Sequence, residues 1–324
     1  MTITTGLRNE RSATSALRLL RDYAVVWVTL ALVVFLTVTT ENFLTVRNLQ
    51  NVLDQQSTVL IVAVATTLTV IAGGFDVSLS AIFVLTPLVA VQVMNSTGSI
   101  AVGVFSALLA GAAAGASNAF VVTVMKINSF IATLASSFVL FGVAYVVSDK
   151  SILRPNDIGF ANFATARIFG ITNATWIAVA VVVICWVTLE STQFGRYVFA
   201  AGGNPEAARL AGVRATGVLA ITFVIGGLCA GLAGAVNASQ NMSAQASDDF
   251  SFVFGVVAAV VVGGTSIAGG IGSVWRTVVG VFFIAFLVNG FNLNGIDPIY
   301  QRIIQGLVII AAVAIDSWSR TRTS

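Results

Sequence analysis

The residue types that most enzymes use for catalysis are scarce in this chain. It contains no histidine, which excludes a histidine general base and a histidine metal site. A phosphate-binding P-loop needs glycine directly before lysine, so that backbone amides and the ammonium group surround a phosphate. The two lysines, Lys126 and Lys150, follow Met125 and Asp149. The sequence therefore predicts a non-catalytic chain without a metal or other cofactor of its own.

One acidic residue lies between two apolar stretches, where a charge could act in transport. Asp76 occurs in the segment LTVIAGGFDVSLSA, and ionisable residues at membrane depth often mark ion pathways. Ion-coupled carriers usually need several such acids, so a single carboxylate makes ion coupling possible but poorly supported. The alternative is a helix-capping or structural role. If the chain transports a solute, we expect the energy to come from a partner.

Two glycine clusters interrupt the apolar pattern in comparable ways. Gly73 and Gly74 precede FDVSLS, and Gly263 and Gly264 precede TSIAGGIGS. Corresponding breaks about 190 residues apart point to a midplane site in transporters built from repeats. Small residues at four-residue spacing also favour close helix packing in lipid, with a cargo-lining role as the alternative. They are Gly111, Gly115, Gly227 and Gly231.

The segment from Phe194 to Val213, FGRYVFAAGGNPEAARLAGV, is too polar to cross a membrane and too patterned for an irregular loop. Asn204 is a good N-cap, and Pro205 suits the first turn of a following helix. Glu206 then lies where the helix dipole favours an anion, and Gly212 suits the stop. The small apolar face comprises Ala207, Ala208, Leu210 and Ala211. This helix either docks in a cleft of another protein or lies on the membrane surface.

Long apolar runs must position these residues. Of 324 residues, 57% are hydrophobic and 9% are charged, whereas soluble domains carry about 25% charged residues. The sequence predicts an all-α, polytopic membrane protein with about ten transmembrane helices, some of them broken, because about 20 apolar residues cross a bilayer core. The predicted spans are 23–40, 57–73, 80–94, 100–124, 129–148, 174–189, 217–240, 251–264, 276–290 and 299–316.

Basic residues determine the predicted orientation. With both termini in the cytoplasm, eleven of the 16 lysine and arginine residues fall in cytoplasmic segments and five outside, in line with the positive-inside bias. The basic N-terminal segment 1–22 and the tail 317–324 are then cytoplasmic, and 23–316 forms one transmembrane domain. The longest outside loop is 149–173, and the longest cytoplasmic loop is 190–216.

Several ordered motifs run through the chain. They are VRNLQNVL at 46–53, GGFDVS at 73–78, FIATLA at 130–135, GRYVFAAGGNPEAARLAGV at 195–213, GGTSIAGGIGS at 263–273 and IYQRIIQGLVIIAAVAID at 299–316. On these motifs the sequence resembles, over nearly its whole length, the permease family of bacterial ABC importers for ribose and other monosaccharides. The resemblance implies the transmembrane subunit of an ATP-driven importer in the bacterial inner membrane, with a ribose-like sugar or a related small polyol as its cargo.

The resemblance also implies partners. A second permease copy, identical or related, would complete a dimer in the lipid bilayer. A cytoplasmic subunit would bind ATP and Mg, and a periplasmic or lipid-anchored binding protein would deliver the sugar; nucleic acid is not expected. In such permeases the matching cytoplasmic loop contains a coupling helix that contacts the ATP-binding subunit. Carried over residue by residue, the predicted coupling residues are Gly202, Gly203, Asn204, Pro205, Glu206, Ala207, Ala208 and Gly212.

The translocation path is expected to make weak contacts, because an importer that receives cargo from a binding protein needs only transient ones. Candidates for its lining are Asp76, Ser78, Asn118, Asn128 and Phe130. Each has a structural role as the alternative. The chain departs from the family pattern at Ser80, Ala81 and Arg276, which weakens any inference about the sugar. Two other classes stay open: an ion-coupled carrier that uses Asp76, and a passive channel for small polar solutes.

Overall fold

The computed structural model describes residues 24–304, 306–307 and 310 of the chain. The predicted cytoplasmic segments at the two termini, and half of the last predicted span, lie outside these residues. Within them, the protein is a bundle of α-helices joined by short connections, with one small hairpin. The prediction of a helical architecture is confirmed for this part of the chain.

The elements are numbered here in chain order. The helices are α1 (Ala24–Thr39), α2 (Val46–Ile71), α3 (Leu79–Thr97), α4 (Ile100–Thr123), α5 (Ser129–Ser148), α6 (Ala161–Thr165), α7 (Asn173–Ser191), α8 (Gln193–Gly203), α9 (Pro205–Leu210), α10 (Ala215–Asn241), α11 (Ser251–Val262) and α12 (Val274–Leu293). A 3₁₀ turn at Ile158–Phe160 precedes α6, and the antiparallel strands β1 (Arg167–Ile168) and β2 (Ile171–Thr172) precede α7. The chain is helical again over 298–304.

Seven helices in the described part of the chain are long and apolar enough to cross a membrane: α2, α3, α4, α5, α7, α10 and α12. Helices α1 and α11 are apolar but shorter, at 16 and 12 residues. The protein is therefore a multi-pass helical membrane protein. Half of the last predicted span lies outside the described residues, so the total of ten stays a prediction, as does the cytoplasmic placement of the termini.

Helix α2 is the central element of the bundle. Its membrane-crossing window is 78% buried, and it packs against α7, α8, α10, α11 and α12. Because the bilayer core offers no water, its buried hydroxyl groups need protein partners. Thr67 Oγ1 lies 2.7 Å from Thr277 Oγ1 of α12, and Thr69 Oγ1 donates to the Thr222 carbonyl of α10 at 3.3 Å. These bonds link the central helix α2 to α12 and to α10.

The connections between helices lie at the two ends of the bundle, and α2 runs from one end to the other. Near the N-terminus of α2, Asp54 pairs with Arg167 of the β1–β2 hairpin at 3.6 Å, within the predicted outside loop 149–173. At the C-terminus of α2, Ile71 lies against Gly202 of α8. We call these the hairpin end and the α9 end of the bundle.

Helices α4 and α10 pack through their glycines. Gly111 and Gly115 on α4 face Gly227 and Gly231 on α10, and a Cβ on Gly111 or Gly227 would overlap the opposing backbone carbonyl. The two backbones therefore touch with no side chain between them, which gives close van der Waals contact in lipid. The packing role predicted from the four-residue spacing is confirmed.

Both predicted breaks are present, at 72–78 and 263–273, and both begin with the same backbone turn. Gly73 and Gly264 adopt left-handed φ values of +86° and +82°. In each turn this glycine donates its N–H to the carbonyl three positions earlier, and the next residue donates to the carbonyl five positions earlier. This pattern is the Schellman motif, in which glycine avoids the strain that an L side chain would suffer. We call the two segments the first and second break.

The third span is longer than predicted. The sequence predicts a short, interrupted span at 80–94, but α3 runs for 19 residues without interruption. Pro87 lies inside it and removes the usual hydrogen-bond partner of the Phe83 carbonyl. Gly234 of α10 packs directly against both, so neighbouring protein covers the defect and the helix continues. The short eighth span, 251–264, is present as the 12 residues of α11.

Candidate functional site

The α8–α9 segment turns a corner at the α9 end of the bundle. Helix α8 ends at Gly203, and α9 begins at Pro205. The Asn204 side chain accepts the Ala207 N–H at 3.0 Å, which caps α9 as the sequence predicts. Gly212 follows α9 with φ +83°, a conformation that glycine adopts without strain and that turns the chain towards α10.

Helix α9 projects from the bundle surface. It packs against α8 and α10 and buries Ala208, whereas Leu210 is 81% exposed. Glu206 and Arg209 form an exposed ion pair at 3.2 Å, and such pairs contribute little to stability. A cleft of about 540 Å³ between α9 and α10 is lined by this pair and by Arg214. Exposed apolar and charged groups next to a cleft make a surface suited to docking with another protein.

Backbone segments from three parts of the chain meet where α8 ends. We call these contacts the glycine node, which consists of Gly73, Gly202, Gly203, Gly269, Gly270 and the carbonyl group of Ile71. A Cβ on Gly202 would overlap the Ile71 oxygen, and one on Gly270 would lie 2.6 Å from Gly203 Cα. The Gly270 N–H donates to the Ile71 carbonyl at 2.8 Å. The backbones of α2, α8 and the second break are thus in direct contact, which a side chain at Gly202, Gly269 or Gly270 would prevent.

The first break contains a buried polar cluster made of three predicted path residues. Asp76, Ser78 and Asn118 are 2%, 0% and 0% exposed. Asp76 Oδ1 accepts the Ser78 N–H at 2.9 Å and the Ser78 hydroxyl at 2.5 Å. The Asn118 Nδ2 group donates to Ser78 Oγ, and the nitrogen and oxygen are 2.6 Å apart. The carboxylate therefore lies at the start of α3, where the helix dipole favours negative charge.

The same cluster leaves two acceptors unused. Asp76 Oδ2 and Asn118 Oδ1 have no hydrogen-bond partner within the part of the chain that the structure describes. Gly226 of α10 is the neighbour of Asp76 Oδ2, since a Cβ on this glycine would lie 4.0 Å from that oxygen. Asp76 thus combines a structural role, as the acceptor of both Ser78 bonds, with one carboxylate oxygen that faces α10 and has no partner among the described residues.

The first break is also hydrogen-bonded to α5. The Phe75 N–H donates to Ser129 Oγ at 3.1 Å, and the Val77 N–H donates to Thr133 Oγ1 at 3.0 Å. Phe75 and Val77 lie outside any helix or sheet, so their N–H groups have no regular backbone acceptor. The two hydroxyl groups of α5 supply these acceptors, and the N–H groups would otherwise be buried unpaired. The position of the first turns of α5 is therefore coupled to the break.

The other two predicted path residues lie at the start of α5. Asn128 Oδ1 accepts the N–H groups of Phe130 at 3.0 Å and Ile131 at 3.4 Å, so Asn128 caps the helix. Phe130 is 44% exposed, and its ring centre lies 5.9 Å from that of Phe75. The predicted path residues thus divide into a buried polar cluster and an exposed aromatic edge.

Phenylalanines extend this aromatic edge along α5 and α11. Phe138 and Phe254 are 63% and 50% exposed. The ring of Phe250 lies between them, 5.9 Å from Phe138 and 6.4 Å from Phe254. An exposed apolar face of this extent is covered by lipid or by another protein chain.

The sequence identified the glycine clusters but missed the residues that they contact. Gly269 and Gly270 stand in the same motif as the second cluster, so the repeated Gly–Gly pair was an available signal. Thr133 lies one helical turn after Ser129 and shares its face of α5, a spacing that indicates a polar contact. The contact made by the Ile71 carbonyl could not be predicted, because every residue type has the same backbone carbonyl group.

Comparisons with known proteins agree on one class of protein. A family model described as the permease component of a branched-chain amino acid transport system matches residues 48–313. No solved structure matches the chain. The matched residues include α9, the glycine node and the polar cluster, and they reach from α2 to beyond α12.

Characterised relatives match nearly the whole chain. The ribose import permease protein RbsC of Escherichia coli K12 is 36% identical over 295 residues, which is 89% of this chain and 91% of the relative. The L-arabinose transport system permease protein AraH of that strain is 33% identical over 317 residues, covering 98% and 97%. The D-allose transport system permease protein AlsC is 30% identical over 284 residues, covering 87% of each chain.

Proposed function

Because this chain belongs to the family of permease components of branched-chain amino acid transport systems, we propose that it is the membrane subunit of an ATP-driven importer for a monosaccharide or a related small polyol. The relatives that match most of its length are named for ribose, arabinose and allose. The family description names amino acids instead. We favour a sugar because full-length relatives agree on that chemistry.

The observation that carries the proposal is the projecting helix α9. The chain lacks a P-loop, so ATP is hydrolysed by a partner whose movement must reach the membrane helices. Helix α9 offers that partner the exposed Leu210 and the Glu206–Arg209 pair. In this arrangement the α9 end lies in the cytoplasm. The predicted coupling residues from Gly203 to Gly212 form the contact, and Gly202, packed against Ile71, positions them.

The remaining surfaces suit the other proposed partners. The hairpin end lies outside the cell and receives the cargo from a binding protein. The aromatic edge of α5 and α11 faces a second permease copy, identical or related, and the path runs between the copies. Aromatic rings at such a boundary offer flat apolar surface to a sugar ring, without the tight polar contacts that would slow release.

Co-purification from cells that express the permease with the ATP-binding subunit encoded beside it tests the docking step. We expect Leu210→Glu to abolish co-purification, because a charge replaces the most exposed apolar side chain of α9. Ile158→Glu is the matched control, since Ile158 is 84% exposed but lies at the hairpin end. The docking proposal fails if both variants retain the ATP-binding subunit, or if the wild-type chain never binds it.

Uptake into proteoliposomes separates the proposed importer from two other transport classes. The importer requires the ATP-binding subunit and internal ATP, whereas a passive channel requires neither. An ion-coupled carrier is the second candidate, favoured by the unpartnered Asp76 Oδ2, and it predicts gradient-driven uptake by the purified chain that Asp76→Asn abolishes. Calorimetry of the binding protein with ribose, arabinose, allose and leucine tests the cargo class, and leucine as the tightest ligand would refute the sugar assignment.

A further inference from the structure

We infer that the glycine node makes α8–α9, the end of α2 and the second break one rigid unit, and that this unit positions α5 through the first break. The inference rests on the proposed function, in which α9 receives movement from an ATP-binding subunit. Gly202, Gly269 and Gly270 are then positioning residues, which act on the path through other elements and do not contact the cargo.

The rigidity follows from the kind of contact in the node. Gly269 touches two elements at once, because a Cβ on it would lie 2.9 Å from the Gly202 oxygen and 3.1 Å from Gly73 Cα. Side chains between two helices can change rotamer and absorb a displacement, but two backbones in van der Waals contact have no such freedom. A push on α9 therefore moves Gly73, and with it the start of the first break.

The second step leads from the first break to α5. Gly73 lies only a few residues before Phe75 and Val77, whose N–H groups are bonded to Ser129 and Thr133 of α5. These bonds are buried or half-buried, so losing them would leave backbone donors unpaired where little water can replace the acceptor. Keeping them requires α5 to follow the break. Movement at α9 thus reaches the helix that carries the aromatic edge.

A contiguous set of contacts is a coupling pathway only when both ends are shown to respond together. The test uses the full chain, co-purified with its ATP-binding subunit and placed in lipid nanodiscs. Ile131→Cys provides a probe at the start of α5, where the native side chain is 61% exposed, and the native Cys185 and Cys229 are buried. A water-soluble maleimide then reports the exposure of α5, and no cargo is needed.

We expect ATP with vanadate to change the labelling rate of Ile131→Cys about threefold or more in the otherwise wild-type chain, as a shift between two conformations requires. Adding Gly202→Ala should remove this response while co-purification and ATP hydrolysis persist. The matched control is Gly142→Ala on α5, which lies outside the node and the coupling residues, because a Cβ there meets nothing within 4 Å. It should keep the response.

A second pair of variants distinguishes loss of the node contacts from the backbone strain of a positive φ. It also provides a test that does not depend on the folding of Gly202→Ala. Gly269 and Gly98 both have positive φ, +87° and +69°, but a Cβ on Gly98 meets nothing within 4 Å. Gly269→Ala should lose the labelling response, and Gly98→Ala should keep it at similar stability. Thermal unfolding of each complex in detergent establishes that the compared variants are folded.

Two outcomes overturn the inference. In one, Gly202→Ala or Gly269→Ala retains the full nucleotide response. In the other, the complex that carries the wild-type node and Ile131→Cys hydrolyses ATP without any change in labelling, a result that does not depend on the folding of any node variant. Failure of the proposed function looks different, because the ATP-binding subunit would then not co-purify with the wild-type chain at all.

Discussion

The first and second breaks begin with the same Schellman turn, yet different kinds of contact hold them. The first break is held by polar side chains: Asp76 and Ser78 within it, and Ser129 and Thr133 on α5. The second break is attached to the rest of the bundle mainly by backbone contacts at Gly269 and Gly270 of the glycine node, although Ser266 and Ser273 each form one side-chain hydrogen bond. One local motif therefore starts two segments whose stability rests on different chemistry.

The difference teaches where each break is sensitive to substitution. Removing a polar atom should damage the first break, because its backbone depends on side-chain partners in a region without water. Adding a methyl group should damage the second, because its contacts leave no space. A duplicated layout, as the spacing of the glycine clusters indicates, thus does not imply duplicated roles.

The largest effect is expected at the carboxylate of the first break. Asp76→Ala removes the acceptor of both Ser78 bonds and should lower the free energy of unfolding by about 3 kcal/mol. Asp76→Asn keeps one oxygen acceptor in the same place and should cost clearly less. Chemical denaturation in detergent measures both variants, and equal losses would show that the Ser78 bonds do not hold the break.

A smaller loss is expected at the contact between the break and α5. Thr133→Val keeps the side-chain shape but leaves the buried Val77 N–H without its acceptor, which should cost about 2 kcal/mol. Thr37→Val on α1 is the control, because the exposed Thr37 hydroxyl bonds only to a carbonyl of its own helix among the contacts described. Similar denaturation midpoints for the two variants would contradict the proposed link to α5.

The shared turn predicts a pair of equal effects. Gly73→Ala and Gly264→Ala each force an L side chain into the left-handed region, which should cost about 1 kcal/mol. Neither Cβ meets a close neighbour, since the nearest atoms would lie 3.7 Å and 3.8 Å away. Unfolding measurements on the two variants should agree. A much larger loss at one position would mean that the turns are not equivalent.

The smallest effect is expected inside the second break. Thr265 is 1% exposed, and its hydroxyl has no hydrogen-bond partner within the described residues. Thr265→Val should therefore change stability by no more than about 0.5 kcal/mol, in the favourable direction, because the substitution removes an unpaired buried polar group. A loss as large as that of Thr133→Val would place polar support in the second break as well.

Local features of the fold could be predicted from the sequence. The apolar runs predicted a multi-pass helical protein, because about 20 residues must cross a bilayer whatever surrounds them. The Asn204 cap and the Pro205 start of α9 followed from preferences that act within one helical turn. The glycines of α4 and α10 predicted close packing, since four-residue spacing places them on one face. Helix lengths were less predictable: α3 continues through Pro87, where Gly234 of α10 packs against the proline and the Phe83 carbonyl.

The sequence by itself thus determined the class of the protein, the projecting helix and the two breaks, because propensity, capping and periodicity act over a few neighbouring residues. Only the tertiary structure decided that Ile71, Gly202 and Gly270 meet, and that Asp76 joins Asn118 in a buried cluster. Those contacts link residues far apart in the chain and depend on which helix faces overlap. Several of these contacts are made by backbone carbonyl groups and by glycines without side chains. The residue type at such positions does not indicate which distant residue will be the partner.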